Sequence, residues 1–372
     1  MSTRFDLLIP QYIQGLPVYI PGKPVEEVER ELGIHAVKLA SNENAFGPSP
    51  KAVEAMRRAA SDSHRYPDGG AVLLREKLAE LRGVLPEQIF VGLGSSEIID
   101  LASRVLLREG LQGITSEGSY APFSIAIRMN RGELRKVPLR NYGYDLDALA
   151  EAINPTTRII YIANPNNPTG TAFGAAEFAR FLSRVREDIC VVLDEAYFHY
   201  AAQEDMPHSN ELFGKHANLL VLRTFSKVYG LAGVRIGYAV GDTALVTMMN
   251  KLRTPFNVSG LAQAAALAAL DDKAHVKHCV EQNARERARL EAGLRERGLT
   301  VVPSETNFVF ADLGMEAAPL CEELLHRGVI IRPLAWMGLP TGIRVSVGTR
   351  EENDKCLEEM RAVLGKIESK AS

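Results

Sequence analysis

From about residue 70 to 240 the chain alternates short apolar runs with stretches whose apolar positions recur every three to four residues. The runs are QIFVGL (88–93), GITSE (113–117), RIIYIAN (158–164), CVVLDEA (190–196), NLLVLRT (218–224) and RIGYAV (235–240). Several are continuous in Val, Ile and Leu, which points to strands buried on both faces. Between them, stretches such as LREKLAELRG and AAEFARFLSRVRE carry the helical period. Strands separated by helices imply crossover units and an α/β fold with a mostly parallel sheet. Ligands of such folds sit beyond the carboxyl ends of the strands, so the polar residues after each run are the ones to inspect.

The flanks read differently. The first 25 residues have little periodicity and predict an extended arm. PVEEVERELG (24–33) predicts a short helix with Pro24 at its start and Gly33 at its end. AVKLASNENAFGPSP (36–50) predicts a strand and a polar loop, and PKAVEAMRRAA (50–60) a helix. Beyond 240, a helical stretch opening with DTALVTMMNKLR and a second at 277–298 lead into a mixed tail, TVVPSETNFVFADL, APLCEELLHRG, VIIRPL and GIRVSVGT, closed by a terminal helix. A chain of 372 residues exceeds what one core usually supports. The expected organisation is an N-terminal arm over 1–30, a large domain over 46–260, and a smaller α/β domain built from 31–45 with 275–372.

Composition narrows the function by exclusion. With 43 Lys and Arg against 46 Asp and Glu, the chain has no basic excess to draw it to nucleic acid. No run of about 18 apolar residues predicts a membrane span. Cys190, Cys279, Cys321 and Cys356 form no CxxC pair, and the histidines show no metal-ligand spacing, so no metal is expected. Scattered cysteines and an amino-terminal stretch without the order of a secretory leader favour a cytoplasmic location.

The chemistry lies at the ends of the runs. After QIFVGL come Gly94, Ser95, Ser96 and Glu97, then an amphipathic helix. Small residues there leave backbone N–H groups for an anion, or simply cap the helix. VGLGSSE half-matches a dinucleotide fingerprint, but Glu97 stands in place of its third glycine. NPNNPTG (164–170) is a turn whose asparagines could also reach a ligand. Asp194 closes a wholly apolar run, where a carboxylate is costly unless a cation meets it, and Tyr197 follows. VLRTFSK brings Thr224, Ser226 and Lys227, with Arg235 beyond; either cation alone would ordinarily be a solvated surface charge. Together the set matches the needs of pyridoxal phosphate: a lysine for its aldehyde, an anion for its ring nitrogen, a helix start with hydroxyls and a guanidinium for its phosphate, and an aromatic, Tyr120, for its ring face.

NPNNPTG, DEAY and TFSKVYGLAGVRIGY resemble the marks of the fold-type I aminotransferases, and the likeness spans nearly the whole chain. YIPGKPVEEVERELG, KLASNENAFGPSP, RYPDGG, GSSEIIDLASR, GVIIRPL and IRVSVGTREEN extend it to the histidinol-phosphate aminotransferase family. The resemblance implies a seven-stranded, mostly parallel sheet sandwiched by helices. It implies that Lys227 bonds the cofactor and shuttles the substrate Cα proton, and that Asp194 pairs with the ring nitrogen. Tyr197 and Asn167 would hydrogen-bond the phenolic oxygen, and Tyr120 would stack on the ring. Ser95, Ser96, Thr224, Ser226 and Arg235 would hold the phosphate. Tyr66 would reach the cofactor of a second subunit, implying a homodimer. Arg332 and Arg344 would bind the anionic end of histidinol phosphate or glutamate, with Tyr19 closing over it.

Ser96 stands where many relatives have Asp, Ala45 and Phe46 where Pro and Leu are frequent, and Trp336 and Met337 where smaller or Tyr-bearing segments are usual. Trp336 either reshapes the substrate pocket or packs at a surface. Competing expectations are an aromatic-amino-acid aminotransferase or a threonine-phosphate-type decarboxylase on the same scaffold, a fold recruited as a ligand sensor, and a nicotinamide oxidoreductase resting only on VGLGSS. His199, after DEAYF, either flanks the site or is a packed histidine, which is the default.

Overall fold

In the computed structural model, which describes residues 7–16 and 23–371, the apolar runs form one seven-stranded sheet. Across it the strands are ordered Ile89–Gly92, Gly237–Val240, Leu219–Thr224, Cys190–Asp194, Thr157–Ala163, Gln112–Ser116 and Glu133–Val137. All neighbours are parallel except Gly237–Val240, which runs antiparallel to both strands beside it. The central strands are buried throughout apart from half-buried Arg158, as expected for strands covered by helices on both faces. Asp194 pairs in register with Ala163 and Leu222, and Thr224 with Gly237. The parallel strands thus end along one edge, and the antiparallel strand begins there.

Glu133–Val137 was not among the expected strands. It sits at the sheet margin with Glu133, Arg135 and Lys136 exposed, so it shows no apolar run. The helical stretch after Asp242 is two helices, Thr243–Leu252 and Gly260–Leu270. Pro255 disfavours helical backbone at Thr254, and the Ser259 hydroxyl caps the second helix through the Ala262 N–H. The next helix starts at Lys273, four residues before the expected 277, because Asp272 caps it by accepting from the His275 N–H. The arm carries a helical turn, Gln11–Gln14, where extended chain was expected. Pro24 is the cap of the helix Val25–Leu32 rather than its first residue, and Gly33 ends it in the left-handed region at φ 68°.

The tail forms a four-stranded antiparallel sheet in the order Arg332–Pro333, Gly342–Ser346, Phe308–Asp312, Thr300–Val302. Val37–Lys38 pairs with Val329–Ile330, which ties the segment before the large sheet to the tail. A separate core joins Val37 and Leu39 to Leu290, Leu294, Val309, Val345 and Met360. Ser49 and Asp272, the caps of Pro50–Ala59 and Lys273–Arg295, hydrogen-bond each other at 2.5 Å, so two helix starts are locked together. Among the described residues no helix is long and apolar enough to cross a membrane.

Candidate active site

The strand edge and the small sheet face each other across a cavity of about 420 Å³. That is the size range of small-molecule sites. Ser95, Ser96, Tyr120, Asn167, Asp194, Tyr197, Thr224, Ser226, Lys227, Arg235, Arg332 and Arg344 all line it. Twelve residues singled out from sequence, spread over 250 positions, therefore meet in one place. Tyr66 does not line it: it is 83% exposed and stacks on Phe256, with ring centroids 4.6 Å apart. Tyr19 lies outside the described residues.

At the floor, Asp194 closes its strand with its carboxylate buried. Its Oδ1 accepts from the Ala196 N–H at 3.0 Å. Burial, the largest influence, pushes its pKa up to about 7, and the Glu195 carboxylate pushes the same way against the Ala196 N–H, Lys227 and Arg223. Such a carboxylate calls for a cation at the cavity.

Lys227 follows the strand Leu219–Thr224 and reaches the same cavity. Burial and the nearby Arg344 lower its pKa to about 8. Its Nζ donates to the Asn42 carbonyl at 3.1 Å and lies 5.5 Å from the Tyr197 ring centre. The Tyr197 hydroxyl accepts from Asn42 Nδ2 at 3.0 Å. Burial pushes its phenol well above the ordinary value.

One corner is suited to a phosphate. The helix Gly94–Leu106 begins there, and Leu93, preceding it, has no side-chain oxygen to cap it. Thr224 Oγ1 accepts from the Ser226 N–H, and Ser226 Oγ lies 3.5 Å from Arg235 Nη1. Ser96 Oγ lies 3.4 Å from the Tyr120 hydroxyl. Gly94 has φ 73°, and a Cβ there would sit 2.7 Å from Arg235 Nη2. The guanidinium can approach the helix start only because this residue has no side chain. Hydroxyls, helix start, guanidinium, buried carboxylate and lysine in one cavity fit pyridoxal phosphate.

The opposite wall is basic. Arg344 is buried and donates to Asn167 Oδ1 at 2.6 Å and to the Ala40 carbonyl at 2.7 Å. Arg332 pairs with Arg344 across the small sheet, and its guanidinium carbon lies 5.0 Å from the Trp336 ring centre.

Two groups had been missed. Asn42, at φ 54°, accepts from the Ser346 hydroxyl through Oδ1, and its carbonyl accepts from Lys227 and from Asn307 Nδ2. It joins the small sheet to Tyr197 and the lysine. Beneath Asp194, Glu195 and Arg223 form a buried ion pair at 2.5 Å, with the Ser209 hydroxyl donating to Glu195 and Arg223 over the Phe198 ring. His199 is packed beside this pair as expected, its pKa lowered to about 3 by burial and the positive charge of Arg223.

The chain matches the Aminotransferase class I and II family over residues 34–360. It is 47% identical over 355 residues to histidinol-phosphate aminotransferase 2 of Pseudomonas aeruginosa, spanning 95% of this chain and 96% of that one. It is 45% identical over 361 residues to histidinol-phosphate aminotransferase of an Anaeromyxobacter species, spanning 96% and 99%. The crystal structure of histidinol-phosphate aminotransferase from Sinorhizobium meliloti in complex with pyridoxal-5'-phosphate superposes with a TM-score of 0.89 at 32% identity, covering 96% of this chain and 98% of that one.

Proposed function

The chain belongs to the class I and II aminotransferase family, and on that premise we propose that it transfers the amino group of L-histidinol phosphate to 2-oxoglutarate, giving imidazole acetol phosphate and L-glutamate in histidine biosynthesis. The observation that carries the reading is that Lys227 and Asp194 share a cavity with two arginines on its opposite wall. Pyridoxal phosphate, when bound, supplies a protonated ring that accepts the electron pair left on the substrate Cα once its proton departs.

The residues of the chain divide the remaining work. Ser95, Ser96, Thr224, Ser226 and Arg235 would hold the cofactor phosphate, Asp194 its ring nitrogen, Asn167 and Tyr197 its phenolic oxygen, and Tyr120 its ring face. Lys227 would anchor the cofactor and, as a free neutral amine, would take up the substrate Cα proton on Nζ; its lowered pKa favours that neutral form. Arg332 and Arg344 supply fork-shaped donors that suit a phosphate or a carboxylate, which lets one wall receive two unlike substrates in turn. Exposed Tyr66 and Phe256, with exposed Leu73 nearby in sequence, support a homodimer in which Tyr66 reaches the neighbouring subunit's cofactor. Four buried free thiols suit a cytoplasmic enzyme.

The test mixes the holoenzyme with L-histidinol phosphate alone and follows the cofactor absorbance through one half-reaction. L-phenylalanine and threonine phosphate are run in parallel. Conversion fastest with histidinol phosphate supports the proposal. Conversion faster with phenylalanine, or carbon dioxide from threonine phosphate, replaces it with the corresponding alternative.

A further inference from the structure

We propose that Trp336 is a positioning residue for Arg332 and thereby tunes the affinity of the cavity for a phosphate-monoester terminus. The inference rests on the cavity being the amine-exchange site proposed above.

Arg332 and Arg344 stand opposite each other on adjacent antiparallel strands. Like charges so placed repel, and each guanidinium needs something to hold it. Arg344 is held by Asn167 and the Ala40 carbonyl. Arg332 lies against the face of Trp336, at 5.0 Å. A ring face attracts a guanidinium without bringing negative charge of its own. An indole offers no lone pair to accept from the guanidinium, so the ring does not compete with an oxyanion for its N–H groups.

The turn that carries the ring is fixed. Met337 is buried against Val302, Phe310 and Leu334, and its carbonyl accepts from the Gly118 N–H at 3.2 Å. Gly338, at φ 86°, closes the turn. Trp336 is held between these anchors and the cavity, yet remains 47% exposed. A tryptophan placed only to fill a core would not be left so open.

Inorganic phosphate is titrated into the holoenzyme by calorimetry, with the cofactor already filling its own phosphate corner. The variants are Trp336→Phe, which keeps an aromatic face, and Trp336→Leu, which keeps apolar bulk without one. Trp336→Leu is expected to weaken phosphate binding and raise KM for L-histidinol phosphate about threefold to tenfold, with kcat within about twofold; Trp336→Phe stays within about twofold of wild type. Trp336 is the only tryptophan in the chain. Its fluorescence should therefore respond to phosphate in the wild type and lose that response in Arg332→Gln. Phosphate binding in Trp336→Leu equal to wild type, or a fall in kcat with KM unchanged, overturns the inference. If the wild type does not convert histidinol phosphate, the functional proposal fails, while the phosphate titrations still decide the role of Trp336.

Discussion

Replacing Asp194 by Asn should stabilise the cofactor-free protein while weakening its hold on the cofactor. Burial raises the carboxyl pKa from 3.8 to about 7. The folded state thus binds this proton more tightly than the unfolded chain does. The penalty for the ionised form is complete above pH 7 and fades as pH falls toward 4. At roughly 1.4 kcal/mol per tenfold change in proton affinity, it is about 4 kcal/mol at pH 8.5 and about 1 kcal/mol at pH 4.5. An asparagine keeps the shape and the bond from the Ala196 N–H but buries new amide donors, which costs about 1–3 kcal/mol. A net gain of about 1–3 kcal/mol is expected for the apoprotein at pH 8.5, none at pH 4.5. Urea unfolding of both apoproteins at the two pH values reads this difference. Adding pyridoxal phosphate should reverse the order at pH 8.5, because only the wild type can offer an anion to the ring nitrogen. If Asp194→Asn is destabilised in the apoprotein at pH 8.5, or the gap between the proteins ignores pH, the carboxylate is not held as an uncompensated buried charge and the argument fails.

Burial disfavours the ammonium form of Lys227, so in the apoprotein its modification by an amine-directed acylating reagent should reach half-maximal rate near pH 8. Peptide mass spectrometry across pH 6–11 reads this, and a midpoint above 10 would contradict it. Gly94→Ala places a Cβ against Arg235 in a backbone region unfavourable to side chains, and should weaken pyridoxal phosphate binding by about tenfold or more, measured by equilibrium dialysis. Arg223→Met strands the Glu195 carboxylate and should cost about 3–5 kcal/mol in denaturant unfolding. The double variant Arg223→Met with Glu195→Leu should recover most of that loss.

The central sheet was legible because strands buried on both faces must be written almost wholly in Val, Ile and Leu. Glu133–Val137 was not, because an edge strand can carry charges at most positions without penalty. The cavity residues could be read because polar side chains directly after buried strands have few structural reasons to be there. The Glu195–Arg223 pair left a trace that went unused: an acid and a base, each next to or within an apolar run, on strands that turn out to be neighbours. Neither could be buried without the other. Asn42 gave no pattern, since its contacts reach Tyr197, Asn307 and Ser346, far away in the chain.

The Asn42 carbonyl takes hydrogen bonds from both Lys227 and Asn307. A buried carbonyl that loses its last donor is costly, but one that keeps a donor is not. Should Lys227 swing away, as the proposed reaction asks of it, the Asn42 carbonyl would keep a donor, and the Ser41 carbonyl, 3.5 Å from Nζ, would give one up. Asn307 holds the loop in place throughout, donating to the Glu43 carbonyl as well. The side chain that would travel in the proposed turnover could thus move without releasing the loop that Asn307 holds.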